Sequence, residues 1–382
     1  MKCTLLRFLV ILAALGIMLT IAFFVHLPLP PYLDFQVLYL ANQGILQGIP
    51  LYDRAGQAQM IAAGAGVSVD RVFVLPFPYP PWYAVVTLPL ALLPIEVAAR
   101  MWFLLNIAML LVSVWLLTEN WEPRKRLYSF IAAPLFLPVF GALFVGQYVF
   151  PTILGMALLI YALRYQRVKL TALGMALVTF KPHVGVLVLL TSLAYLLLRR
   201  DEFGRRAFWA TALTGISLFA IGFLGDNQWP VAYLRSLFAF RDVSECKLCV
   251  SLPMMIANLV GLGFDQAMLI AGVLLLALSG LFLRTRPREW KDAGWVVAAS
   301  TIVALLVNPY LQNYDFAFLI TPFFLLAGTS RSRLEWLWLG LAFIVPWLGL
   351  GLFERAGNHS LLFSTLVLAA MMYRLDACNN AA

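Results

Sequence analysis

The sequence predicts an all-α polytopic membrane protein, a single transmembrane domain over residues 1–382 with about 12 crossings. Three observations carry that prediction. First, the chain is 63% hydrophobic and 12% charged, with mean hydropathy +0.89, whereas a soluble domain is about half apolar and about a quarter charged. So much apolar surface needs lipid as its solvent. Second, runs such as Phe8–His26 and Trp102–Leu117 approach or reach the roughly 20 residues that cross a hydrocarbon core. Third, the basic residues sit in short clusters between these runs. The net charge of +9 then reads as an orientation signal of cytoplasmic loops and not as a nucleic-acid footprint.

Each element follows from the charge clusters. These are Lys2/Arg7, Arg124-Lys125-Arg126, Arg164/Arg167/Lys169, Arg199-Arg200/Arg205-Arg206, Arg284/Arg286/Arg288/Lys291, Arg331/Arg333 and Arg374, which hold 19 of the 27 lysines and arginines. Placing all of them inside makes every apolar stretch between two clusters cross an even number of times. Phe8–His26 leads out as a retained anchor, since no small-residue cleavage site follows its basic start. A first outer loop, 28–100, follows, and Met101–Thr118 returns. Leu127–Leu163 forms a pair broken at Gly146-Gln147-Tyr148, and Leu170–Leu198 a pair broken at Lys181-Pro182-His183. Ala207–Leu224 leads out to a second outer loop, 225–265, and Gln266–Leu283 returns. Ala293–Val307 with Phe316–Ala327, and Trp336–Phe353 with Ser360–Tyr373, complete the count. Both termini fall in the cytoplasm. Trp82–Pro94 is apolar but short and bounded by prolines, so it reads as interfacial and not spanning.

This topology gathers the costly residues on one, extracytoplasmic, face. Pro30-Pro31 stop the first helix, and the spacing of Phe35, Leu38 and Tyr39 predicts a short helix along the membrane surface. Asp34 stands near its start. There a carboxylate can cap free N–H groups, or serve as a general base. Lys181 lies inside a long apolar run, where an ammonium is expensive unless it meets water or an anion. Pro182 pushes it out of helical geometry and frees backbone donors beside it. A phosphate would satisfy both the charge and the donors; snorkelling to the headgroups is the other reading. His183 gains interest from that neighbour. Gln147, after Gly146, can bond a sugar or cap a helix. Asn308-Pro309-Tyr310-Leu311-Gln312-Asn313-Tyr314-Asp315 is the most polar short loop between two spans, with Asp315 either a cap or a second working carboxylate.

Cys246-x-x-Cys249 lies in the second outer loop. No further Cys or His pair completes a zinc site, so the expected readings are a small disulfide in an oxidising compartment or free thiols. There is no glycine-rich nucleotide fingerprint and no Asp-x-Asp. No metal or other cofactor is expected.

Asp34-Phe35-x-Val37-x-Tyr39-x-Ala41, then Gly48-x-Pro50-Leu51-Tyr52-Asp53, Tyr79-Pro80-Pro81 and Pro89-Leu90-x-Leu92-Leu93-Pro94 together resemble glycosyltransferase family 87. Gly146-Gln147, the Lys181-Pro182 break and Ser251-Leu252 are similar to landmarks of the same family. The resemblance spans roughly Asp34 to Asp315 and implies a GT-C-like bundle. It implies that a polyprenyl-phosphate-linked hexose, usually mannose, passes to a lipid or glycan acceptor at the outer face of the plasma membrane, the inner membrane of a bacterium. Asp34 matches the family's acidic residue and would be the base of an inverting displacement. Lys181, with His183 or Arg100, would hold the donor phosphate. Tyr39, Tyr79, Gln147, Asn308, Tyr314 and Asp315 are the candidate substrate contacts. One departure stands out: some members carry histidine where this chain has Tyr314-Asp315. A transporter or lipid flippase is the competing reading, since broken helices beside charges also build transport sites. Such sites lie near mid-membrane between related repeats, and no repeat is visible here.

Overall fold

The computed structural model describes residues 16–25, 33–244, 249–285, 293–352 and 359–381. Those residues are mostly helical, joined by turns and irregular segments, with no strand among them. They form two compact units, whose helices are numbered in chain order.

The first unit takes residues 1–108, 143–147 and 221–240. It holds α1 (16–24), α2 (Leu33–Leu46), α3 (Arg54–Ala65), α4 (Pro81–Thr87), the first half of α5 (Ile95–Leu117) and most of α12 (Trp229–Ser244). The expected helix after Asp34 is α2. It buries Phe35, Leu38 and Ala41, the spacing that aligns one face of a helix. Proline at the first position fixes the start of α4. α4 passes directly into a 3-10 turn, Leu88–Leu92. The stretch from Trp82 to Pro94 is therefore a seven-residue helix and a turn, not one long helix. Side chains fasten α2 to it. Tyr39 donates to the Leu93 carbonyl at 2.8 Å, Gln43 to the Ala91 carbonyl at 2.6 Å, and Asn42 to the Thr87 hydroxyl at 3.0 Å.

The second unit takes residues 109–142, 148–220 and 241–382. Two of its helices are buried nearly all round: α8 (Val149–Arg164) and α15 (Ala293–Val307). A helix apolar on every face belongs in an interior. In α15 the small residues Gly294, Ala298, Ala299 and Ser300 allow close approach, and α8, α10 (Pro182–Arg199) and α18 (Ser360–Ala381) all pack on it. α8 also meets α9 (Val168–Val178) backbone to backbone. A Cβ on Gly155 would stand 2.9 Å from the Gly174 carbonyl, and one on Gly174 3.0 Å from the Gly155 carbonyl. By contrast, α11 (Glu202–Gly222), α14 (Phe264–Thr285) and α17 (Arg333–Leu352) expose Trp209, Leu213, Ile216, Leu269, Val273, Leu276, Leu337 and Ile344. Apolar exposure on that scale is what lipid-facing helices present.

Three helices among the described residues are long and apolar enough to cross a membrane: Ile95–Leu117, Pro182–Arg199 and Arg333–Gly351. A fourth span is possible where α6 (Pro123–Leu135) and α7 (Leu137–Val145) join at a 56° bend. The sequence reading runs straight through that bend. Pro134 and Pro138 cause it, because each removes a backbone donor and crowds the carbonyl four residues back. The breaks expected at Gly146–Tyr148 and at Lys181 are present. The stretch 225–265, read from the sequence as a loop, carries structure that reading missed, α12 and α13 (Leu252–Leu259). Arg100 also differs from expectation: it lies inside α5, not at the end of a loop.

Candidate functional site

In the first unit the site begins with a glycine. Gly146 has φ +71°, left-handed geometry that costs glycine little, and it ends α7 at Val145. Its carbonyl accepts from Trp102 Nε1 at 2.9 Å, and the Gln147 carbonyl accepts from Asn106 Nδ2 at 3.4 Å. The side chain of Gln147, 1% exposed, is thereby aimed at α2, where Nε2 donates to Asp34 Oδ2 at 2.7 Å. Asp34 is half-buried in the first turn of α2, where the helix dipole favours its charge. Next to it Phe35 stacks on Trp102, with ring centroids 5.8 Å apart and 19° between planes. The Gln147 amide thus holds the orientation of the Asp34 carboxylate. Of the other expected contacts in this unit, the Tyr39 hydroxyl is used in fastening α2. The Tyr79 ring packs on Phe77 and Tyr83, and its carbonyl accepts from Tyr52. Arg100 donates to the Ala22 carbonyl at 3.3 Å, and its Nε is buried with no hydrogen-bond partner among the described residues.

In the second unit the site is built at the break between α9 and α10. Lys181 caps α10 with φ −125° and ψ 79°, and Pro182 opens the helix. The turn is tight: a Cβ on Gly185 would stand 1.7 Å from the Val178 carbonyl oxygen. Gly185→Ala is therefore expected to destabilise the protein by at least about 1–3 kcal/mol, read as a lowered melting temperature in detergent. Gly215→Ala, where a Cβ meets nothing within 4 Å, is the control and should melt at or slightly above the wild type, since alanine favours the helix over glycine.

Lys181 is 1% exposed and Asp315 2%. Their Nζ and Oδ1 stand 2.5 Å apart, and His183 Nε2 lies 3.5 Å from the same oxygen. The ammonium also sits 4.8 Å over the Tyr314 ring, a cation–π contact. Asp315 Oδ2 accepts from the Gln312 backbone N–H at 2.9 Å, part of a capping box. Asn308 Nδ2 donates to the His183 carbonyl at 2.9 Å, and its Oδ1 accepts from Tyr310 N–H. A third segment joins them: Val250 N–H donates to the Leu311 carbonyl at 2.7 Å, and Ser251 Oγ to the Pro309 carbonyl at 3.1 Å while capping α13.

Five residues singled out in the sequence thus come together in this unit: Lys181, His183, Asn308, Tyr314 and Asp315. The sequence reading missed that Asp315 neutralises Lys181. The signal was present, because a lysine in an apolar run needs an anion and Asp315 opens a later one. The Ser251 anchor carried no such signal.

Cys249 is buried and disulfide-bonded; Cys246 lies outside the described residues. No group of three or more His, Cys, Asp or Glu among the described residues is placed to hold a metal ion.

Comparison with curated proteins gave no match. A family model does match residues 77–309, well over half of the 382 residues. That stretch includes Gln147, the Lys181 break and Asn308, and its description is glycosyltransferase family 87. On this match, with its apolar spans, the chain belongs to glycosyltransferase family 87 and is a membrane glycosyltransferase.

Proposed function

We propose that the chain moves a hexose, mannose in the first instance, from a polyprenyl-phosphate donor to a hydroxyl of a lipid or glycan acceptor. The observation that carries this reading is Asp34, half-buried in a helix's first turn and oriented by Gln147. The acceptor hydroxyl gives its proton to an Asp34 oxygen as its own oxygen attacks the anomeric carbon. The bond from that carbon to the phosphate oxygen breaks, and its electron pair leaves with the polyprenyl phosphate. In-line attack inverts the anomeric centre through an oxocarbenium-like state, similar in charge to that of glycosidases. In the first unit Arg100, whose Nε is buried with no hydrogen-bond partner among the described residues, takes the donor phosphate. A fixed cation stabilises the charge that develops on the leaving oxygen.

The same reading takes 12 crossings, both termini in the cytoplasm and reaction at the extracytoplasmic face of a bacterial plasma membrane. Reporter fusions after Arg126 and after Gln147 test the topology: cytoplasmic at the first, extracytoplasmic at the second. For the activity, purified protein in liposomes is given polyprenyl-phosphate mannose or a nucleotide mannose with a mannoside acceptor. Transfer from the lipid donor alone, with inverted anomeric configuration in the product, is the expected result. Transfer from the nucleotide sugar alone would overturn the reading.

A further inference from the structure

A second polar cleft in the first unit lies outside the groups assigned above. It encloses about 400 Å³, within the range of small-molecule sites. One wall is the turn from Pro50 to Arg54, and the other is the start of α12, with Asp226, Asn227, Gln228, Ala232 and Arg235. The walls are fixed to each other. Leu51 N–H donates to the Gly225 carbonyl at 3.0 Å, the Tyr52 and Tyr233 rings lie 5.8 Å apart, and Ser236 donates to the Phe77 carbonyl.

The polar side chains here are held by backbone and not by one another. Asp53 accepts from Gly56 N–H, Asp226 from Gln228 N–H, and Arg54 grips the Val74 carbonyl through two nitrogens. Among the described residues none of Asp53, Arg54, Asp226 and Arg235 makes an ion pair. The cleft thus offers two carboxylates, two guanidinium groups and two side-chain amides that do not neutralise each other. Formal charge cancels over the set, which fits an uncharged ligand. A phosphate site would carry an excess of cations. Carboxylate acceptors, guanidinium donors and amides that do both, beside the Tyr52 ring, match a polyhydroxylated ring.

We propose that this cleft binds neutral sugar residues of the acceptor, so that the acceptor is a glycan and not a bare lipid. The inference rests on the reading of the chain as a transferase with a hydroxyl acceptor.

Saturation-transfer NMR on the full chain in nanodiscs, with a neutral mannose trisaccharide as probe, tests binding apart from catalysis. Wild type and Asp34→Asn should both bind the trisaccharide, although only wild type transfers mannose to it. Ala232→Trp, which fills the cleft, should abolish binding. Arg235→Ala, an exposed change expected to fold, should raise the KM for the trisaccharide about tenfold, the effect of one hydrogen bond, with kcat within about twofold. Three results would overturn the proposal: no binding by wild type, unchanged binding and KM in both variants, or displacement of the trisaccharide by inorganic phosphate. Failure of the wild type to transfer mannose to the trisaccharide, with binding intact, would count against the transferase reading and leave the cleft standing, whereas full transfer by Asp34→Asn would count against Asp34 as the base.

Discussion

Asp34→Asn is expected to lower sugar transfer by roughly 10²–10⁴-fold, the usual contribution of a general base. The amide keeps the size of the carboxyl, and its oxygen can still accept from Gln147 Nε2, which stands 2.7 Å from Oδ2 in the native protein. Folding and membrane insertion should therefore stay as in wild type. What disappears is the ability to take a proton. If Asp34 were only a cap at the start of α2, asparagine would serve nearly as well, and activity would be kept. Assay of the variant in liposomes with polyprenyl-phosphate mannose separates the two. Full activity removes Asp34 from the base role. Gln147→Ala is the companion measurement. It leaves the base in place but loosens it, so its loss should be smaller than that of Asp34→Asn.

The second large effect is on stability. Asp315→Ala leaves the Lys181 ammonium buried beside no counter-charge, and breaking a buried pair from one side costs about 3–5 kcal/mol. With total stabilities of about 5–15 kcal/mol typical of folded domains, such a loss should appear as a large drop in melting temperature or as failure to accumulate in the membrane. Lys181→Met combined with Asp315→Leu removes both charges and keeps the volume, and replacement of a buried pair by apolar groups is often neutral or stabilising. The double variant should therefore melt near the wild type. Its activity decides what the pair is for. A purely structural pair predicts a stable, active double variant. A lysine that serves the donor phosphate predicts a stable protein whose KM for the donor rises far more than its KM for the acceptor. A double variant as unstable as Asp315→Ala would show that the cost lies in packing and not in charge.

How much of this was legible in the sequence differs from residue to residue. Gly146 and Lys181-Pro182 announced their helix breaks, because glycine with positive φ and the residue before proline act locally. The helix after Asp34 was readable from its apolar spacing. Pro134 and Pro138 bend α6 against α7 and were equally visible, but the hydrophobic run around them masked the bend. α12 and α13 are too short to read as spans and are separated by polar residues, so the sequence reading passed over them; tertiary burial of Trp229 and Met254 gives those helices the support that propensity alone does not.

Composition, charge clusters and local backbone chemistry determined by themselves that this is a helical membrane protein with breaks at Gly146 and Lys181, and that Asp34, Lys181 and Asp315 need partners. Those are one-dimensional properties, set by solvent and by nearest neighbours along the chain. Only the tertiary structure decided which partners they have. Gln147 reaches Asp34 from 113 residues away, and Asp315 meets Lys181 because two distant loops close on each other. A buried charge states its need in sequence. Which distant group meets it depends on how helices pack, and the pattern of a single strand of sequence does not encode that pairing.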